Sequence, residues 1–197
     1  MKTFKSYYYL IEQRRTKNTI ALVPGSYKPP HAGHLDMVKQ YSDIADKVIV
    51  IISDPKKSVR TTAKGTVITP DIAKKIWDIY IKAAKLKNVE VIISNLPSPV
   101  TAASEYAKDN LAHHKVIFGA SKKDNDYKRW LFAPKWFAQN APDVEVVDPK
   151  EAAVEPYENI SATDIRNNID KPDEIRKYFP KELSYDEYNT IIDLLNK

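Results

Sequence analysis

Residues 19–38 read TIALVPGSYKPPHAGHLDMV. An apolar run ends at Pro24, a bend framed by Gly25, Pro29 and Pro30 follows, and helical spacing begins with Leu35 and Val38. The chain holds four glycines, and two of them, Gly25 and Gly33, sit here with His31 and His34. The pattern predicts a strand, a tight turn and a helix, the first unit of an α/β sheet. Such a turn lies at the carboxyl edge of the sheet, where open α/β sheets bind ligands. The incoming helix N-terminus favours an anion. Gly25 and Gly33 would let phosphate oxygens approach the backbone. The two prolines restrict the loop, so that His31 and His34 are held ready to donate hydrogen bonds to those oxygens.

The rest of the chain repeats the unit. The runs KVIVIIS (47–53), VEVIIS (89–94), KVIFGA (115–120) and VEVVD (144–148) are short and β-branched, with the near-continuous apolar character of strands covered on both faces. Helical spacing lies between them: at Leu35, Val38, Tyr41 and Ile44; at Ile72, Ile76, Ile79 and Ala83 after a Thr69-Pro70 start; over 99–111; and within 126–140. The alternation predicts an α/β fold, a doubly wound parallel sheet of about five strands with right-handed crossovers. After Asp148 only helical segments are expected, around 161–169, 173–178 and 184–195. The chain therefore divides into an N-terminal extension (1–18), a core (19–148) and a helical C-terminal section (149–197).

Composition narrows the function classes. A chain of 197 residues, 43% hydrophobic and 29% charged, can bury a real core. It has no apolar stretch of membrane-spanning length and no cysteine, which removes thiol chemistry and suits a reducing cytoplasm. A net charge of +5 favours anionic ligands. The His31–His34 pair could bind zinc with Asp36 nearby, but no third ligand has convincing spacing, so no metal site is expected. The pair His113-His114 reads as surface, and the loop is not a Walker A sequence.

GSYKPPHAGH (25–34) resembles the Gly-x-Phe-x-Pro-x-His-x-Gly-His signature of the HIGH superfamily of nucleotidyltransferases, with Tyr27 in the aromatic slot. ISATDIR (160–166) is similar to that superfamily's second signature, Ile-Ser-x-Thr-x-Ile-Arg. By its own chemistry, Ser161 or Thr163 can cap a helix from which Arg166 offers a guanidinium to phosphates. The resemblance implies a Rossmann-like core and transfer of a nucleoside monophosphate from a triphosphate to a phosphate-bearing acceptor, with pyrophosphate leaving. It implies contacts from His31 and His34 to the triphosphate, with Thr163 and Arg166 on its β- and γ-phosphates and Mg²⁺ bridging phosphate oxygens. Gly25, Ser26, Tyr27, Lys28, Gly33 and Ser161 complete the expected phosphate site. The loop after the second strand adds Lys56, Lys57, Arg60 and Lys64, cations able to close over the anions. Lys28 departs from the pattern, since relatives usually carry Asp, Gln or another polar residue there.

KPPHAGH (28–34), with its two prolines, resembles nicotinamide mononucleotide adenylyltransferases more than glycerol-phosphate cytidylyltransferases, whose Arg-Thr-x-Gly second motif is absent, and His31 argues against phosphopantetheine adenylyltransferases, which usually have Thr in that slot. The expected donor is ATP and the expected acceptor nicotinamide mononucleotide, with CTP left open. The stretch FGASKKDNDYKRW (118–130) is expected to hold base or acceptor through Gly119 and Trp130, the latter either stacking on a ring or packing in the core. An aminoacyl-tRNA synthetase would need a Lys-Met-Ser-Lys-Ser-type loop and a far longer chain, so nucleic acid is not the expected partner. A non-catalytic descendant is the remaining alternative. The opening MKTFKSYYYLIEQRR is either an amphipathic helix docking on the body or on a second subunit, or a targeting segment similar to those of T4-like phage head proteins, cleaved after Glu12.

Overall fold

The structure, a computed structural model, describes residues 18–54, 59–155 and 160–197. The expectations for residues 1–17 and for Lys56 and Lys57 lie outside the described residues.

Five parallel strands form one sheet: β1 (Thr19–Gly25), β2 (Lys47–Ile52), β3 (Val89–Ile93), β4 (Lys115–Phe118) and β5 (Glu145–Val146), in the order β3-β2-β1-β4-β5. The order runs outward from β1 in both directions, so the switch point lies between β1 and β4. Helices α1 (Ala32–Ile44), α2 (Pro70–Ala83), α3 (Pro99–Asn110) and α4 (Ala133–Asn140) connect the strands. Thr69 and Ser98 cap α2 and α3 by accepting from the amides of Ile72 and Thr101, and Pro70 and Pro99 follow at the first helical position.

Alternate strand residues face opposite layers. Ala21, Val23, Val48, Val50 and Ile117 meet Leu35, Tyr41, Trp77 and Tyr80 of α1 and α2. Ile20, Leu22, Ile49, Ile51 and Phe118 meet Ala103, Ala107, Trp130 and Phe137 on the other face. The C-terminal helices α5 (Pro149–Ala152), α6 (Ala162–Asn167), α7 (Pro172–Ile175) and α8 (Tyr185–Asn196) follow β5, and Ile165, Ile175, Ile191 and Leu195 extend the first layer. A reciprocal capping box between Ser184 and Glu187 starts α8.

One element differs from the sequence expectation. β5 is two residues long because Asp148 turns away to cap α5, accepting from the amides of Lys150 and Glu151. The helix expected within 126–140 is α4, and a 3₁₀ segment (Lys123–Trp130) precedes it.

Candidate active site

The β1–α1 turn occupies the sheet's carboxyl edge at the switch point. Tyr27 folds inward with φ +48°, is 4% exposed, and donates its hydroxyl hydrogen to the Val23 carbonyl at 2.7 Å. A Cβ on Gly25 would stand 2.7 Å from the Tyr27 ring. Gly25 gives the Tyr27 ring room to pack over it, and the Tyr27 hydroxyl is committed to the core. Burial pushes that phenol far above its ordinary value, which keeps it neutral. The ring then supports the site from behind, meeting His34 edge-on at 5.0 Å and Trp77 at 5.2 Å.

His31 and His34 stack with centroids 3.6 Å apart. His31 is the cap residue of α1, and its backbone amide donates to His34 Nδ1 at 3.2 Å. A neutral His34 must therefore carry its proton on Nε2, as a donor. His31 Nδ1 is buried without a hydrogen-bond partner among the described residues. Burial lowers both imidazoles: His31 to about 4, helped by the charge of Lys123, and His34 well below the ordinary value, helped by His31. Both are neutral at pH 7.

The sign of this shift gives a stability prediction. With folded values below the unfolded value of about 6.5, the unfolded chain binds protons first as pH falls. Stability is full above pH 6.5 and declines toward pH 4. The urea midpoint should drop between pH 7.5 and 5.5, and less so in His31→Asn, which has no imidazole to charge. Parallel curves for the two proteins would contradict the burial.

The histidines line a cleft of about 460 Å³, together with Gly25, Ser26, Gly33 and three residues beyond β4: Lys123, Asp126 and Arg129. The last three were not among the sequence candidates, although the stretch that carries them was. The signal was position, since they follow the strand across the switch point from β1. Arg129 pairs with Asp126 at 3.2 Å and donates to the Gly119 carbonyl at 3.0 Å, while its Nε is buried and unpartnered among the described residues. Ser26 Oγ lies 3.3 Å from Ser53 Oγ at the end of β2. Tyr41 ties the floor together: its hydroxyl accepts from the Ala120 amide at 2.9 Å and lies 2.9 Å from the Ala152 carbonyl. A larger hollow of about 580 Å³ between α1 and residues 176–182 excludes the histidines and is bridged by the Lys39–Glu182 ion pair.

The second motif reaches the first directly. Arg166 Nη1 donates to the Lys28 carbonyl at 2.6 Å, and Nη2 donates to Thr163 Oγ1 at 2.8 Å. Ser161 caps α6 by accepting from the Thr163 amide. The backbone of Arg166 is also held, because its carbonyl accepts from the Ala63 amide at 2.8 Å. The segment carrying Arg60 is thereby stitched to α6. Lys28, Arg60 and Arg166 gather beside the turn, outside the lining of the histidine cleft.

Gly119 and Trp130 take packing roles, for Trp130 the second of its two expected readings. A Cβ on Gly119 would meet the Leu22 carbonyl at 2.9 Å and Val23 Cα at 3.1 Å, so the residue permits close approach of β4 to β1. Trp130 is fully buried, stacks on Phe118 at 4.5 Å and donates its indole N–H to the Gly119 carbonyl. It has no face for a base. Trp130→Phe should lower the melting temperature and leave the KM for the triphosphate unchanged. A shifted KM at constant melting temperature would restore the stacking role.

Among the described residues no group of three or more His, Cys, Asp or Glu side chains is arranged to hold a metal. The carboxylates that line the cleft among the described residues are engaged, Asp126 with Arg129 and Glu155 with Lys122. Among the described residues this donor set does not fit a resident cation. No helix among the described residues is long and apolar enough to cross a membrane.

These features define a doubly wound α/β protein with its crevice at the β1–β4 switch point. Residues 22–168 match the cytidylyltransferase-like family, and the chain belongs to it. It is 34% identical over 86 residues to the phosphopantetheine adenylyltransferase of Mycoplasma capricolum, covering 44% of this chain and 56% of that protein. It is 26% identical over 127 residues to the phosphopantetheine adenylyltransferase of Mycoplasma mycoides, covering 64% and 81%. The fold is also that of the nicotinic acid mononucleotide adenylyltransferase of Plasmodium falciparum, with a TM-score of 0.57 and 13% identity over 90% of this chain and 94% of that one. A bifunctional NMN adenylyltransferase/ADP ribose pyrophosphatase from Francisella tularensis matches with a TM-score of 0.55 and 15% identity over 92% and 51%. Sequence likeness thus runs to phosphopantetheine enzymes, from which His31 was expected to set this chain apart.

Proposed function

We propose that this protein is a nucleotidyltransferase that moves a nucleoside monophosphate from a triphosphate, ATP by preference, to a phosphate-bearing acceptor. The observation that carries this reading is the bond from Arg166 to the Lys28 carbonyl, which joins the two motifs beside a stacked, neutral histidine pair. An acceptor phosphate oxygen attacks the α-phosphorus in line, and pyrophosphate leaves. No covalent intermediate is needed, since positioning and charge stabilisation carry such reactions. His34 Nε2–H donates to an α-phosphate oxygen as charge builds, and His31 holds the neighbouring oxygen. Arg166 and Thr163 hold the β- and γ-phosphates, with Arg60, and Lys56 and Lys57 from the adjoining segment, adding positive charge.

For the acceptor, nicotinamide mononucleotide is our first reading, on the Pro-Pro-His form of the turn. The names of the sequence relatives favour 4′-phosphopantetheine as the second. Pyrophosphate release should be measured with ATP or CTP against both acceptors. We expect release with ATP and nicotinamide mononucleotide together and only background with either alone. Release with phosphopantetheine instead would transfer the assignment to the second reading, and release with CTP would change the donor.

A further inference from the structure

Lys28 is 8% exposed although it is a lysine at the edge of a ligand site. Its carbonyl holds Arg166, the Arg166 carbonyl holds the Ala63 amide, and the Arg60 carbonyl accepts from the Ile68 amide at 2.9 Å. One hydrogen-bonded frame thus carries three cationic residues from three separate segments. Among the described residues none of the three forms an ion pair: Arg60 donates weakly to the Val59 carbonyl, and the Arg166 guanidinium bonds only neutral oxygens. Burial lowers the Lys28 ammonium from its ordinary value, Asp54 opposes that shift, and Arg60 adds to it. Arg166 is likewise lowered by burial and then by Arg60. Among the described residues Arg60 thus bears on both Lys28 and Arg166, and Asp54 opposes it at Lys28. Such a cluster, held partly out of water, repels itself until an anion of several charges arrives.

The geometry points to Lys28 as a specificity residue for the polyphosphate tail of the donor, joining Arg166 and Arg60 in a clamp that takes a chain of at least two phosphates. This rests on the nucleotidyl-transfer reading above. A monophosphate supplies too little charge to satisfy the cluster, whereas the tail of a triphosphate and the leaving pyrophosphate both fit it. Lys28 belongs to this clamp and not to the histidine cleft that it does not line.

The test is calorimetric titration of the full chain with inorganic tripolyphosphate, and separately with AMP, at low and high salt. Lys28→Met and Lys28→Gln should weaken tripolyphosphate binding by about tenfold or more, the loss of one charge-assisted contact, and flatten its salt dependence. AMP binding should be unchanged. The melting temperature should hold or rise, because a partly desolvated ammonium has been replaced by a group cheaper to desolvate. Unchanged tripolyphosphate affinity in both variants would overturn the Lys28 assignment and leave the donor reading standing. Loss of AMP binding together with a fallen melting temperature in both would make Lys28 structural and also overturn it. A native protein that ignores tripolyphosphate would sink the donor reading along with it.

Discussion

His34→Ala is expected to lower kcat by on the order of a hundredfold or more, the scale seen when a donor to developing charge is removed. The neutral ring accepts from the His31 amide through Nδ1, so its remaining N–H is fixed in tautomer and direction. Two contacts fix the ring itself, the stack on His31 and the edge of Tyr27. The fold should survive, since the large core side chains Trp77, Tyr41 and Leu35 make their own contacts. Circular dichroism and the melting temperature check that point. Because the donor acts as charge develops, kcat should fall more than KM rises. Turnover within a few-fold of the native enzyme would remove His34 from the chemistry.

Arg166→Ala is expected to lower kcat/KM by about a hundredfold, from the loss of charge-assisted bonds to the β- and γ-phosphates. The side chain is already positioned by the Lys28 carbonyl and Thr163, so little ordering is required when the triphosphate binds. Arg166→Lys should recover only part of the loss, because an ammonium keeps the charge without the planar fork. If lysine restored full activity, the two-point hold would be unimportant. Equal activity of the alanine variant and the native enzyme would separate the second motif from catalysis.

The strands were legible because burial on both faces writes an uninterrupted apolar run, as in Val48 to Ile52. The helix starts were legible because Thr69-Pro70 and Ser98-Pro99 are capping chemistry in adjacent residues. The short β5 was not, since Asp148 extends a β-like run yet spends its carboxylate on the next helix. The same limit appears in the site. His31 and His34 sit in one turn and could be placed from their spacing. The bond from Arg166 to the Lys28 carbonyl joins residues 138 apart, and no local pattern encodes it. Whether an aromatic faces a ligand or the core is likewise not written locally, and both Tyr27 and Trp130 turn into the core. In both places the glycine is explained by packing, Gly25 lying under the Tyr27 ring and Gly119 against β1. The polar neighbours of Trp130, Asp126 and Arg129, were the better candidates, as charged side chains just past a strand end at the switch point.

The central claim is that the α-phosphorus of a nucleoside triphosphate is the atom transferred. Incubation with ATP labelled at the α-phosphorus and a phosphate-bearing acceptor tests it most directly. The account predicts that the label appears in a dinucleotide-type product joined by a new phosphoanhydride, with one pyrophosphate released per label transferred. Label recovered only as ADP, or as AMP formed at the same rate with no acceptor present, would contradict it.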